Sequence, residues 1–181
     1  MKKVLITGIE SFTGGYLLSY LQNAGYDVYG TALFESGDKR YKCDITKKND
    51  VLIILDEIKP DFIIHLSGIS FAAHGVSEDF YRVNTIGTTN ILESIVELDL
   101  NPKKIILASS ATVYGNQGLE VLDESLCPKP ANHYGASKYA MECLAKNYFE
   151  KLNIIITRPF NYTGTDRKST RQLQSRGHLV C

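Results

Sequence analysis

Apolar residues recur along the chain with two alternating periods. Short β-branched runs fall at Val4–Thr7, Asp27–Thr31, Phe62–Leu66, Lys104–Ala108 and Ile154–Arg158, and segments of helical spacing lie between them. The segment after Gly14 sets Leu17, Leu18, Leu21 and Ala24 on one side, and Gly25 closes it. Lys47–Ile58 predicts a second helix, stopped by Pro60. Ser77–Leu98 predicts the longest, with Phe80, Val83, Gly87, Ile91, Ile95 and Leu98 on one stripe and Pro102 beyond its end. A fourth helix is expected from about Tyr134 to Lys151, and a short strand at Tyr41–Cys43.

Strands this apolar, alternating with helices, predict a parallel sheet covered on both faces. Right-handed crossovers make it an α/β, doubly wound, Rossmann-type sheet in three α/β/α layers. Ligands bind such sheets beyond the carboxyl ends of the strands, so the residues after each strand are the candidates. Residues 1–164 are expected to form one domain. The stretch 165–181 changes character: Arg167, Lys168, Arg171 and Arg176 stand against one Asp166, without periodicity. It predicts a disordered tail or one foreign to the fold.

Composition narrows the partners. Basic and acidic residues number 20 each, so no net field favours nucleic acid or an anionic membrane. The apolar run after Met-Lys-Lys is too short for a signal peptide or a membrane span. Cys43, Cys127, Cys143 and Cys181 are scattered, without C-x-x-C spacing, which predicts reduced thiols, a cytoplasmic protein and no metal site.

The segment Thr7-Gly8-Ile9-Glu10-Ser11-Phe12-Thr13-Gly14-Gly15 leaves the first strand and opens the first helix. Glycine allows a tight turn and close approach of backbone to a diphosphate, and helix N-terminal amides face the negative charge. Gly8, Ser11, Phe12 and Gly14 are therefore candidate contacts to NAD or NADP. Ser11 stands where the G-x-x-G-x-x-G pattern has its middle glycine; its hydroxyl is small and able to meet a phosphate. After the second strand, Tyr29-Gly30-Thr31-Ala32 holds no acid to take the ribose hydroxyls, which leans toward NADP. Lys39 and Arg40 follow, with nothing in the sequence to fix them near the ribose. Asp44-Ile45 suits either an adenine contact or a helix N-cap ahead of Lys47.

Tyr134 and Lys138 are spaced i, i+4 on one helix face. That spacing alone is common. Its context is not: Ser109-Ser110-Ala111-Thr112-Val113-Tyr114-Gly115 leaves the fifth strand, and Tyr134-Gly135-Ala136-Ser137-Lys138 opens the next helix. With the Thr7–Gly14 loop, Asp44-Ile45, His65-Leu66-Ser67-Gly68, Asn84, Gly87-Thr88 and Arg158-Pro159-Phe160-Asn161, the chain resembles the extended short-chain dehydrogenases of the NAD-dependent epimerase/dehydratase type, from residue 3 to about 164.

The resemblance implies that Tyr134 is the acid/base at a sugar hydroxyl. An unperturbed tyrosine, at a pKa of about 10, is a poor base at neutral pH, and Lys138 together with a nicotinamide cation favours its phenolate. Lys138 would also hold the nicotinamide ribose, while Ser110 bonds the reacting oxygen. Leu66, Ser67 and Gly68 would line the cofactor with backbone. Thr112 and Asn161 would touch substrate, a GDP- or UDP-hexose, and a homodimer through Ser77–Leu98 and Tyr134–Lys151 is implied. Asn84 suits a bridging role in the fold, His65 a packed histidine, His133 a loop histidine, and Tyr114 and Phe160 core or cleft wall.

Dehydratases of this family carry an acid two places after the catalytic Ser/Thr, where this chain has Thr112 after Ala111, so 4,6-dehydration is not expected. Ser-Ala-Thr-Val-Tyr-Gly looks like the 4-epimerases. Arg-Pro-Phe-Asn-Tyr-Thr-Gly looks more like the GDP-4-keto-6-deoxymannose reductases. Both imply hydride transfer at C4 of a nucleotide-linked hexose. Family members continue into a C-terminal substrate domain that this chain is expected to lack. The alternative is a non-catalytic dinucleotide-binding protein, or an inactive fragment, on the same fold.

Overall fold

The computed structural model describes residues 1–34, 37–70 and 76–161. Six strands form one parallel sheet in the order β3-β2-β1-β4-β5-β6, with β1 at Lys3–Thr7, β2 at Asp27–Ala32, β3 at Arg40–Lys42, β4 at Phe62–His65, β5 at Lys104–Ala108 and β6 at Ile154–Thr157. The order reverses between β1 and β4, and this is the crevice where doubly wound sheets receive ligands.

The helices divide unequally between the two faces. On one face α2 (Lys48–Ile58), α4 (Thr88–Glu97) and α5 (His133–Ala145) bury Leu5, Ile63, Ile105 and Leu107. On the other, α1 (Phe12–Asn23) covers Val4, Ile6 and Val28 through Leu17, Leu18 and Leu21. Among the described residues no element extends that second layer over β6, where Ile155 stays 43% exposed. The layering matches the expected α/β/α arrangement, with an uneven outer layer.

Helix boundaries follow local chemistry. Ser11 caps α1, its hydroxyl accepting from Gly14 N at 3.1 Å, so the helix begins at Phe12, ahead of the glycine pair. α2 ends on Lys59, which turns left-handed just before Pro60. The long stripe at Ser77–Leu98 is not one regular helix. A short α3 (Ser77–Phe80) passes through a π-helix at Tyr81–Gly87 before α4 begins. The Thr88 and Thr89 hydroxyls donate to the Asn84 and Thr85 carbonyls at 2.8 and 3.0 Å, satisfying the widened turn. α5 also stops short of its predicted end, passing into a 3-10 turn at Lys146–Tyr148. Residues 165–181 lie outside the described residues.

Candidate active site

Backbone and small residues shape the β1 end of the crevice. Gly8 follows β1 at φ +68°, and a Cβ there would stand 2.9 Å from Ser67 N. Gly8 N and Ile9 N donate to the Thr31 carbonyl, which pins the turn across the ends of β1 and β2. Gly14 is buried against the Ile9 carbonyl, so the first turn of α1 lies close on the loop.

From this turn a cleft of 620 Å³ opens, walled by Ala32, Leu33 and Phe34 after β2, Asp44 and Ile45 after β3, and Ser67 and Gly68 after β4. Ile45 forms a buried ledge seated on Gly87, where a Cβ would meet its Cδ1 at 2.7 Å. The Asp44 carboxylate accepts from Thr46 N and Oγ1 at 3.0 and 2.7 Å. Burial works against its charge, but those two bonds, with Lys47 and Arg82, hold its pKa below the ordinary carboxylate value. The N-cap of α2 is Lys47 without a side-chain bond, so Asp44 does not cap it and faces the cleft.

Beneath the crevice runs a chain of buried polar groups. Ser67 N donates to Thr7 Oγ1, and Thr88 Oγ1 donates to the Asn84 carbonyl. The Thr7 hydroxyl is therefore free to donate to His65 Nδ1 at 2.6 Å, and His65 Nε2–H donates to Thr88 Oγ1 at 2.8 Å. This assigns one proton to each link and leaves the ring neutral. Burial, with the nearby Lys138 charge, brings the His65 pKa down to about 3. Asn84, fully buried, receives Ile69 N on Oδ1 and donates from Nδ2 to the Ile69 carbonyl and Ser137 Oγ. Both side chains thus have buried hydrogen-bond partners within the fold.

The catalytic end gathers around β5. Ser110 caps the 3-10 turn Ala111–Tyr114, with Thr112 N and Oγ1 both donating to its hydroxyl, at 3.2 and 2.9 Å. Asn132 caps α5 through Gly135 N at 2.8 Å. A Cβ on Gly135 would meet the Thr112 carbonyl at 2.7 Å, so the first turn of α5 packs on the turn that carries Ser110. Tyr134, half-buried, stacks at a tilt on Phe80 with ring centroids 6.1 Å apart. One turn on, Lys138 is buried and donates to the Ala108 carbonyl at 2.8 Å. A Cβ on Gly68 would come within 3.1 Å of its Nζ, so the lysine head borders the cleft wall. Burial pulls the Lys138 pKa down to about 8, against an upward push from Glu142.

The chain matches the NAD dependent epimerase/dehydratase family over residues 4–178. It belongs to that family. It is 38% identical to the GDP-6-deoxy-D-talose 4-dehydrogenase of Aggregatibacter actinomycetemcomitans, over 90% of this chain and 53% of that one. With the GDP-6-deoxy-D-mannose reductase of Pseudomonas aeruginosa it shares 27% identity, over 99% of this chain and 58% of the relative. The UDP-glucuronic acid 4-epimerase of Bacillus cereus, solved in complex with NAD, superposes with a TM-score of 0.75 at 26% identity, covering 88% and 56% of the two chains. The chain thus spans about half the length of the curated relatives it matches.

Within this epimerase/dehydratase fold, Gly8, Asp44, Ile45, Ser67 and Gly68 meet at one cleft, and Ser110, Thr112, Tyr134 and Lys138 gather around the end of β5 beside it. The Leu66 side chain packs on the cluster of Val4, Ile6 and Val28, and its backbone lies against Gly8. Phe12 opens α1 with its ring edge-on against Tyr16 at 5.1 Å. Asn161 is exposed, as is Phe160 at 57%, so Phe160 is not core, whereas Tyr114 is. Lys39 pairs with Asp27 at the start of β2, at the opposite end of the strands from the cleft. Arg82, which also borders the cleft and bonds Asp79 at 2.8 Å, had no signal in sequence beyond its charge. Glu142 was equally silent, although its i, i+4 spacing from Lys138 was there to be read.

No helix among the described residues is long and apolar enough to cross a membrane. Among those residues, Cys43 is a buried free thiol, and Cys127 and Cys143 are exposed ones.

Proposed function

We propose that this chain binds NAD or NADP in the 620 Å³ cleft and carries the proton-transfer set for oxidoreduction at C4 of a GDP-linked 6-deoxyhexose. The observation that carries the reading is the placement of Lys138. Its ammonium lies between the Ala108 carbonyl and Gly68, one helical turn from Tyr134, and so touches both halves of the crevice. The residues present fit a dinucleotide. Bare backbone at Gly8 and the start of α1 suit a diphosphate, and Asp44 over the Ile45 ledge suits an adenine amino group and ring. Ser11, whose hydroxyl caps α1, stands beside that diphosphate position.

When bound, the nicotinamide supplies the hydride donor or acceptor. The phenolic oxygen of Tyr134 takes the proton from the sugar hydroxyl, or returns it to the carbonyl oxygen in the reverse direction. The Lys138 cation stabilises the phenolate. Ser110 Oγ already accepts two bonds from Thr112, so its own proton is available for the reacting oxygen. Thr112 stands at the position where elimination would need a carboxylate, which favours simple hydride exchange over dehydration. Asn161, beyond β6, is the candidate contact to the substrate. The GDP-linked substrates named for the two curated relatives support the choice of nucleotide. Among the described residues, Ala32, Leu33 and Phe34 border the cleft at the β2 end.

The test is to titrate the full chain with NADH and NADPH and to assay it on GDP-4-keto-6-deoxymannose and on UDP-hexoses. Tyr134→Phe should lower turnover by about 10²–10⁴-fold while changing dinucleotide affinity by no more than about threefold. A chain that binds dinucleotide but turns over no sugar would favour the non-catalytic alternative. Failure to bind either dinucleotide overturns the reading.

A further inference from the structure

Below the catalytic end lies a buried ion pair that the proton chemistry does not itself use. Glu142, on α5 one turn beyond Lys138, is 1% exposed. Its carboxylate accepts from Arg158 Nη2 at 2.6 Å, from Arg158 Nε at 3.0 and 3.2 Å, and from Ser109 Oγ at 2.5 Å. Arg158 also donates to Tyr114 OH at 3.1 Å, and its guanidinium lies 4.9 Å from the centre of that ring. The backbone around the pair is tied as well. Ser109 N donates to the Thr157 carbonyl at 2.8 Å and Ala111 N to the Pro159 carbonyl at 3.0 Å. Ser110 is thus suspended between two bonds to the chain that carries Arg158.

These contacts join the ends of β5 and β6 to the helix that presents Tyr134 and Lys138. We propose that Glu142 and Arg158 are positioning residues for the catalytic set: their ion pair clamps the Ser110 turn to α5 and gives Lys138 a shared, partly neutralised carboxylate as its charged neighbour. Among the described residues, the titratable groups that bear on Lys138 are Glu142 on its own helix and the neutral His65 of β4, beside the Ala108 carbonyl of β5 and, behind Gly68, Asn84 Oδ1. Arg158 is bonded to Glu142 and to Tyr114. Removing the carboxylate therefore leaves Lys138 in a buried site with no anion on its helix, while removing Arg158 leaves the whole carboxylate charge to Lys138. The two changes should act on the lysine in opposite directions.

The proposal rests on the reading of Lys138 as the partner of Tyr134, and its test is separate from turnover. Lysine labelled with 13C at Cε is titrated by NMR in the full chain, with Lys138 assigned by its loss in Lys138→Met. The parent midpoint is expected near 8. Glu142→Gln should lower it by about one pH unit, a tenfold drop in the protonated fraction on the alkaline side, and Arg158→Gln should raise it. Arg158→Lys, which keeps the charge, should return the midpoint to the parent value. A clamp with only a structural role would shift the melting temperature and leave the Lys138 midpoint unchanged, and that result overturns the proposal. Shifts of the same sign in both Gln variants overturn it too. If Glu142→Gln does not fold, Arg158→Gln decides alone: a rise supports the proposal and no change refutes it. Loss of dinucleotide binding by the parent chain would count against the proposed function and leave this titration standing.

Discussion

The two ends of the crevice are built by different means. At the nucleotide end, glycines bring backbone within reach: Gly8 against Ser67, Gly14 against Ile9, and Gly87 beneath the Ile45 ledge. Little there is charged, and what is charged, such as Asp44 and Arg82, sits at the cleft wall near water. At the catalytic end the reverse holds. Lys138, Glu142 and most of Arg158 are withdrawn from solvent, Glu142 bonded to Arg158 and Ser109 and Lys138 to the Ala108 carbonyl. A site that must admit a flat, extended ligand is shaped by the absence of side chains. A site that must hold a charge at a fixed point needs side chains whose burial makes each charge depend on its neighbour.

Exchanging one residue at a time tests that contrast. The largest loss should follow Glu142→Ala, which leaves Arg158 without its carboxylate; urea unfolding should report about 3–5 kcal/mol. A loss below about 1 kcal/mol would mean that charge does not hold the catalytic end together. Gly8→Ala comes next. The left-handed backbone costs about 1–2 kcal/mol for an alanine, and its Cβ would press on Ser67 N. Its dinucleotide affinity should fall about tenfold or more, and unchanged binding in a titration would break the steric account of the nucleotide end.

Acid should act through the buried groups. The folded His65 pKa of about 3 lies below its ordinary value of 6.5, so between these limits the unfolded chain takes a proton that the native chain refuses. This contribution is complete above pH 6.5 and is lost as pH falls toward 3, by about 1.4 kcal/mol per unit. His65→Gln should flatten that slope in unfolding curves taken across the range; an equal slope in both proteins would assign the acid lability elsewhere. The smallest effect belongs to Ser11→Ala, which removes the α1 cap for about 1 kcal/mol. If the hydroxyl also meets a phosphate, calorimetry should show weaker dinucleotide binding beyond that loss of stability.

Much of this was legible in sequence, and the limits have physical causes. Alternating apolar runs mark the strands because each must be buried on a parallel sheet, whereas the helical spacing after Gly14 missed the first turn of α1, which the Ser11 cap starts at Phe12. The π-helix at Tyr81–Gly87 was invisible, since apolar spacing at Ser77–Leu98 does not register which carbonyls a threonine hydroxyl will satisfy. Only the structure shows that the Leu66 side chain turns toward the core while its backbone lies against Gly8, and that Phe12 opens α1 with its ring against Tyr16. Ala32 was recognised as a missing acid, but Lys39 could be set aside only once its pairing with Asp27 located it at the far end of β2.

The sequence by itself determined the order of strands and helices, the glycine turn, and the spacing of Ser110, Tyr134 and Lys138, because these are consequences of local pattern and chain connectivity. Tertiary structure alone decided that Lys138 reaches both Ala108 and Gly68, and that Glu142 meets an arginine 16 residues further on. Those contacts join separate strands, and whether a charge can be buried depends on which neighbours the fold brings to it.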